Sequence, residues 1–526
     1  MNFSPSQQTA LAAEREAALR LAEFRQLRAR GALCAEATEQ LATAAAQAFL
    51  AHFRHHEKYL ADAITLLAEI ATLQEPCLAE PGQRATFPLL VEQLSDSFDP
   101  AYCRLYDRAF AQMITHCRRL PAANQLDAAL RRFGLDSEAD LLARKTRLSR
   151  RPSPDDAVGR SHVRKVLVLS RITLGADVAI TSLVLQKTKQ VFPQAERVLI
   201  GLPKARQLFG GDDSLRFRDV PYDSNGTLLE RLQSWLPVLK TVEEEIRGLR
   251  SNEYVLMDPD SRLLQLGLLP ALTDESRYFF LESRRYGELG EGCVGEITLR
   301  WLNGLFGDEE PGFLKIWPSI WLREEDKNWG RQICRWLLEN GSNYLVAMSF
   351  GVGGNPLKRL SDRFEEQLLR HILDEGCTVI LDKGLGEDEI GCANRLVEQV
   401  RGSGRRVVEL NEADREAMPD QEADCCRMLT WQGGIGPFSS LIAQSDEYIG
   451  YDSAGQHIAA ALGVPVVDIY TDTTTPIFRE RWRPFGPSMV KVALALDQEA
   501  QTATSNISQA IALHSQIRAQ VPRLAR

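Results

Sequence analysis

"YIGYDSAGQHIAAALGVP", Tyr448–Pro465, holds the reading that decides the fold. It opens as a short apolar run that stops at Asp452, as a buried strand does. Ser453, Ala454 and Gly455 form a small turn, and His457 enters an alanine-rich helix closed by Gly463 and Pro465. Glycine and proline just past a helix are stop signals. Strand, turn and helix in close succession make a βα unit, and such units imply a parallel sheet.

The same texture extends outward. From Lys165 onward, "KVLVLS", "RVLIG", "EYVLMD" and "YFFL" read as strands, with helices such as "VAITSLVLQKTKQVF" between them. After the helical stretch "EDKNWGRQICRWLLEN" the pattern restarts with "YLVAMSF", "CTVILD", "RVVEL", "EYIGYD" and "VPVVDIY". The fold class expected is therefore α/β, with two Rossmann-like halves. Residues 165–312 form the first and 313–526 the second. In such sheets ligands sit beyond the carboxyl ends of the strands, so function is sought in those loops.

Residues 1–145 read as an all-helical region. "TALAAEREAALRLAEFRQLRAR" sets Leu11, Ala18, Leu19, Leu21 and Phe24 near one face. His55 and His56 are adjacent and therefore face different ways on a helix, which argues against a shared metal. The stretch Arg144–Lys165 is basic, with two prolines and a glycine and no apolar period, and 146–164 is expected to be a solvated linker. Its charge would also suit contact with an anionic membrane surface.

Bulk properties bound the rest. A chain of 526 residues calls for two or three domains. A net charge of -9 argues against a general nucleic-acid binder. No apolar run approaches the ~18 residues of a membrane span. The first residues lack the apolar core of a signal peptide. Ten cysteines occur without a CxxC pair or zinc-type spacing, as in a reduced cytoplasmic protein.

Four loops hold groups suited to chemistry. "SRITLGADVAITS" follows the first strand, and Asp177 there suits either a helix start or a base facing an incoming hydroxyl. "SFGVGGNPLKRLSDRF" combines Gly351, Gly353 and Gly354 with Lys358 and Arg359, which suits a phosphate or diphosphate without being a Walker motif. "WQGGIGPFSS" puts Gly433, Gly434 and Gly436 before a helix that Pro437 can open, leaving room for a flat ligand. In the opening stretch, Ser453–Gly455 can present N–H groups to an anion, with His457 close by.

Together these loops resemble glycosyltransferase family 9, the lipopolysaccharide heptosyltransferases. Members read like D-T-G-x-x-H-[LI]-A-A-A-L-G-x-P where this chain has "DSAGQHIAAALGVP", with Ala454 in place of the glycine. "KRLS" is similar to the family's K-R-W-P, with Leu360 for tryptophan, and "RITLGADVAIT" is similar to R-x-x-x-x-G-D-x-x-x-T, with Ala176 for glycine. "YVLMDPDSR" and "DTTTPIFRERWRPFGP" add further likeness. The resemblance spans about Lys165 to Pro487 and leaves the helical region outside it.

The resemblance implies a GT-B fold and an inverting transferase that needs no metal or other cofactor. Asp177 would be the base, and Lys358 would hold the donor diphosphate. Gly434, Asp452, Ser453, Ala454, Gly455, His457 and Arg359 would line the donor site. Arg171, Thr181, Asp258 and Arg262 would lie on the acceptor side. The donor implied is a nucleotide-diphosphate sugar, ADP-heptose by analogy. The acceptor would be a glycan, a lipid-linked molecule or a protein. The helical region would serve acceptor docking or homo-oligomer assembly, in a cytoplasmic chain able to touch the inner membrane. Two other readings compete. One is an inactive nucleotide-sugar-binding scaffold, motivated by Ala176, Ala454 and Leu360. The other is a GT-B nucleotide-sugar epimerase.

Overall fold

The computed structural model describes residues 5–149, 162–223, 226–284, 290–307, 316–353, 358–416, 419, 426–495 and 503–520. Residues 150–161 of the expected linker, the boundary at 312/313, Gly354 and Cys425 lie outside the described residues. The chain forms two compact units that interleave in sequence. One holds residues 1–169, 200–202 and 218–291; the other holds 170–199, 203–217 and 292–526.

The first unit begins with eight helices: α1 (Pro5–Ala29), α2 (Ala35–His56), α3 (Ala61–Ala71), α4 (Pro76–Arg84), α5 (Glu92–Asp96), α6 (Pro100–Cys117), α7 (Asn124–Arg132) and α8 (Glu138–Ser149). The face that α1 buries is Ala10, Ala17, Leu21 and Phe24, a seven-four-three spacing. Leu11 and Leu19, expected on that face, are 38% and 69% exposed. The alanines win because they admit close helix approach, and the apolar stripe drifts with the 3.6-residue period.

Helices α6 and α8 are joined to the rest of this unit by buried charges. Lys145 pairs with Asp107 and lies 3.5 Å from Glu282, which also accepts from Ser149 at 2.9 Å. Arg144 donates to the Gly267 carbonyl at 2.7 Å and to Glu275 at 2.5 Å. These two cations open the basic stretch read as solvated, yet both are buried. Burial is tolerable because each finds carboxylate or carbonyl partners.

Among the described residues, twelve strands follow: β1 (Lys165–Leu169), β2 (Glu196–Gly201), β3 (Leu215–Asp219), β4 (Tyr254–Asp258), β5 (Tyr278–Phe280), β6 (Leu345–Ser349), β7 (Thr378–Asp382), β8 (Arg406–Asn411), β9 (Cys426–Gln432), β10 (Glu447–Tyr451), β11 (Val466–Thr471) and β12 (Val490–Ala495). They form a five-stranded sheet, order β3-β2-β1-β4-β5, and a seven-stranded sheet, order β12-β11-β10-β6-β7-β9-β8. The pairs β1–β4 and β4–β5 are parallel, as is every pair in the larger sheet. Two helix-flanked parallel sheets behind a helical region are the α/β class expected, with the components of a GT-B fold. The central strands β6 and β10 are fully buried, which explains their unbroken apolar runs. No helix among the described residues is long and apolar enough to cross a membrane.

Candidate active site

The second unit gathers most of the chemistry-bearing loops. Asp452 follows β10 directly and is held from two sides. Lys358 donates to its Oδ2 at 2.6 Å, and Gln456 donates to its Oδ1 at 2.8 Å. The Lys358 ammonium also stands 5.0 Å from the centre of the Phe478 ring, a cation–π distance. The side chain of Asp452 is 8% exposed and that of Lys358 23%, so the lysine has the accessible end of the pair.

Lys358 is presented by a rigid neighbour. Arg359 makes two bonds to Glu365, at 2.7 and 2.6 Å, and one to Asp362 at 2.6 Å. The Tyr451 hydroxyl donates to Glu365 at 3.1 Å and accepts from the Leu360 N–H at 3.2 Å. A guanidinium fork held this way fixes the loop. Arg359 thus faces its own carboxylates, while the residue before it faces Asp452.

Ser453 is extended, and Ala454 is the first residue of the helix Ala454–Ala461. Ala454 is absent from the positive-φ positions, so this turn does not require the glycine the family carries there. The Ser453 N–H is taken by Gln456 Oε1 at 3.3 Å. Gly455 has a packing reason: a Cβ there would collide with the Tyr448 hydroxyl. His457 is buried rather than a surface residue, and its ring centre lies 6.0 Å from that of Trp482. Burial pushes its pKa down to about 4, so it is a neutral imidazole at physiological pH.

The loop after β1 meets this helix. A Cβ added to Gly175 would stand 3.1 Å from the His457 ring and 3.2 Å from Ala454 Cα, so glycine is what permits the approach. Two residues on, Asp177 is 1% exposed. Its Oδ1 accepts from the Arg171 N–H and the Thr181 hydroxyl, both at 2.7 Å, and its Oδ2 accepts from Ser170 at 2.7 Å. Asp177 does not cap a helix; it lies within one that starts at Leu174, its own N–H bonded to the Thr173 carbonyl. Burial raises its pKa against the pull of these bonds. Lys204, an exposed side chain, contributes a positive charge felt by Asp177. Between these groups, Ile172 takes φ 77°, a strained value for a β-branched residue that costs on the order of 1–3 kcal/mol.

Gly434 is built differently. Its N–H donates to Glu412 at 2.6 Å, and the Gly436 N–H donates to Gln207 at 3.1 Å. The face expected to be open to a flat ligand is covered by these two side chains. Asp258 and Arg262 belong to the other unit, where Asp258 is fully buried and bonded to Tyr278 and the Ser261 N–H.

Several residues were not singled out by sequence. Asp382, at the end of β7, accepts from Ser349 at 3.2 Å and from the Gly384 N–H at 3.2 Å, and burial pushes its pKa up to about 6. Glu389 lies close beside, and a Cβ on Gly351 would stand 2.9 Å from its Oε1. Asp468, two residues from Tyr470 on β11, is fully buried and shifted well up by burial. The glycines following Asp382 and the acid inside the apolar run "VVDIY" were the available signals. Among the described residues, no group of three or more His, Cys, Asp or Glu side chains is placed to hold a metal ion.

An ion-paired lysine, a neutral histidine and a buried aspartate thus stand in loops that follow strands of parallel sheets. Residues 361–511 match the family described as glycosyltransferase family 9 (heptosyltransferase). Similar solved structures include a family 9 glycosyl transferase from Veillonella parvula DSM 2008, 14% identical, covering 68% of this chain and 97% of that one, with a TM-score of 0.49. The ADP-heptose lipopolysaccharide heptosyltransferase II of E. coli is 16% identical, covering 67% and 99%, with a TM-score of 0.43. The E. coli heptosyltransferase WaaC with ADP is 14% identical, covering 68% and 99%, with a TM-score of 0.41. No curated protein matches the sequence.

Proposed function

We propose that this chain is an inverting glycosyltransferase that works without a metal. It moves a sugar, by resemblance a heptose, from a nucleotide-diphosphate donor, by resemblance ADP-linked, to a hydroxyl of a glycan, lipid-linked or protein acceptor. The observation that carries the reading is the Lys358–Asp452 pair beside neutral His457, with the Asp177 loop packed against the same helix start.

In this reading Asp177 removes the proton of the acceptor hydroxyl. Its Oδ2 makes one bond, to Ser170, which leaves a lone pair for that proton. Ser170, Thr181 and the Arg171 N–H fix the direction in which it points. The raised pKa makes it a stronger base than an exposed aspartate. The acceptor oxygen bonds to the anomeric carbon as the bond to the diphosphate breaks on the opposite face. Lys358 neutralises the charge that develops on the leaving diphosphate, and Asp452 with Phe478 keeps the ammonium in place. His457, uncharged and buried, can donate one N–H without adding charge. In the same reading residues 165–312 serve the acceptor and 313–526 the donor.

Thermal unfolding with ADP, UDP and GDP, followed by NMR of the anomeric configuration of the product, tests this. The matching nucleotide at a hundredfold excess over Kd should stabilise by about 2.7 kcal/mol, and the product should be inverted. Stabilisation by none of the three, or a retained configuration, overturns the proposal.

A further inference from the structure

The helical region contains a cavity of its own, about 260 Å³, between α1, α3, α6 and the start of α8. Of its nine lining residues only Ala68 is apolar. The cavity opens to solvent, with the Arg25 and Arg119 side chains exposed at its mouth, so a polar molecule can enter it from the surface.

The wall carries donors and acceptors in balance. Arg25 of α1 pairs with Glu69 of α3 through two bonds to Oε1, at 3.0 and 2.5 Å. Arg119 and Glu138 also line the cavity, and neither side chain has an ion-pair partner among the described residues. Two guanidinium groups and two carboxylates cancel. His116 adds no charge, since burial lowers its pKa. Thr115 is 7% exposed, and its hydroxyl has no hydrogen-bond partner. A buried hydroxyl without a partner costs about 1–3 kcal/mol, which a bound polar molecule would relieve.

The volume equals that of roughly nine waters at ~30 Å³ each. That is room for a single sugar ring. The near absence of apolar lining argues against an acyl chain. Balanced charge argues against a bare phosphate. A ligand with alternating hydroxyl donors and acceptors and no net charge satisfies all three conditions. We infer that the helical region binds one neutral sugar residue of a glycan in this cavity, apart from the Asp177 and Lys358 site. This inference does not depend on the proposed transfer reaction.

Saturation-transfer NMR on the full chain, with methyl glycosides of mannose, glucose and galactose as probes, tests it. At least one glycoside should receive transfer, and inorganic phosphate at equal concentration should not displace it. Thr115→Val and, on the exposed rim, Arg119→Ala and Glu138→Gln should each weaken binding about fivefold or more. Nucleotide-induced stabilisation should stay unchanged in all three variants, which separates this cavity from the transferase site. Absence of transfer from every glycoside, displacement by phosphate, or binding unaltered in both rim variants would overturn the inference.

Discussion

The larger sheet has two strand-to-helix turns rich in small residues, after β9 and after β10, and they are finished in opposite ways. At the β9 turn, the N–H groups of Gly434 and Gly436 are covered by Glu412 and Gln207, side chains from distant positions. The Glu412 side chain is 52% exposed and lies 3.8 Å from Arg415. At the β10 turn, Asp452 is 8% exposed and tied to Lys358 and Gln456, with a neutral histidine behind it. The first turn is a covered surface and the second a built charge site. Glycine content does not separate them; the burial of the charges facing each turn does.

That difference can be broken at its strongest point by Lys358→Ala. Losing one charge-stabilising donor should lower kcat on the order of 10²–10³-fold, as oxyanion donors do. Initial rates with a saturating donor would show it, and a loss under threefold would make the β10 turn no more functional than the β9 turn.

His457 sharpens the comparison through pH. Its folded pKa, about 4, lies below the ordinary 6.5, so the unfolded chain binds the extra proton between those values. Stability from this residue is therefore full above about pH 6.5 and lost as pH falls towards 4, a change of about 3 kcal/mol. Urea unfolding from pH 4 to 7 should show this slope in the wild type and a shallower one in His457→Asn.

Gly455→Ala should destabilise by about 2 kcal/mol through overpacking against the Tyr448 hydroxyl. Adding Tyr448→Phe, which removes that oxygen but leaves the ring carbons 2.5 and 2.9 Å from the new Cβ, should recover only part of the loss. Gly434→Ala meets the ends of the flexible side chains Gln207 and Glu412 instead and should cost less. The smallest effect is expected for Glu412→Gln, which keeps the side-chain length at an exposed site. A change in kcat/KM of less than about threefold is expected, in line with exposed charges elsewhere. A tenfold effect would move Glu412 into the donor site.

Much of the fold was legible because buried parallel strands write themselves as apolar runs. The strands that escaped were β3, β9 and β12. β3, "LRFRD", lies at a sheet edge, with only its first residue buried and charges interleaved. β12 is the other kind of edge, flanking β11 alone. β9, "CRMLTWQ", is interior, but Arg427 breaks its apolar run near the start. In the site, Asp177, Lys358, Asp452 and His457 stood out because each follows a strand. Gln456, Lys204 and Glu412 did not, since their meaning depends on which distant loop they face. Arg359 was legible as a charge but not as the clamp on Glu365, a contact six residues away that helical spacing does not announce.

The central claim is that sugar leaves a nucleotide diphosphate at the site formed by Asp177 and Lys358. The most direct measurement is sugar transfer from a panel of ADP-, UDP- and GDP-sugars, by the purified chain and by Asp177→Asn. The account predicts that the wild type consumes one donor class. Asp177→Asn, which keeps the acceptor oxygen for Arg171 and Thr181, should bind the same nucleotide but turn over on the order of 10²–10⁴-fold more slowly. A chain that neither binds nor consumes any of these donors, or an Asp177→Asn variant as fast as the wild type, would contradict it.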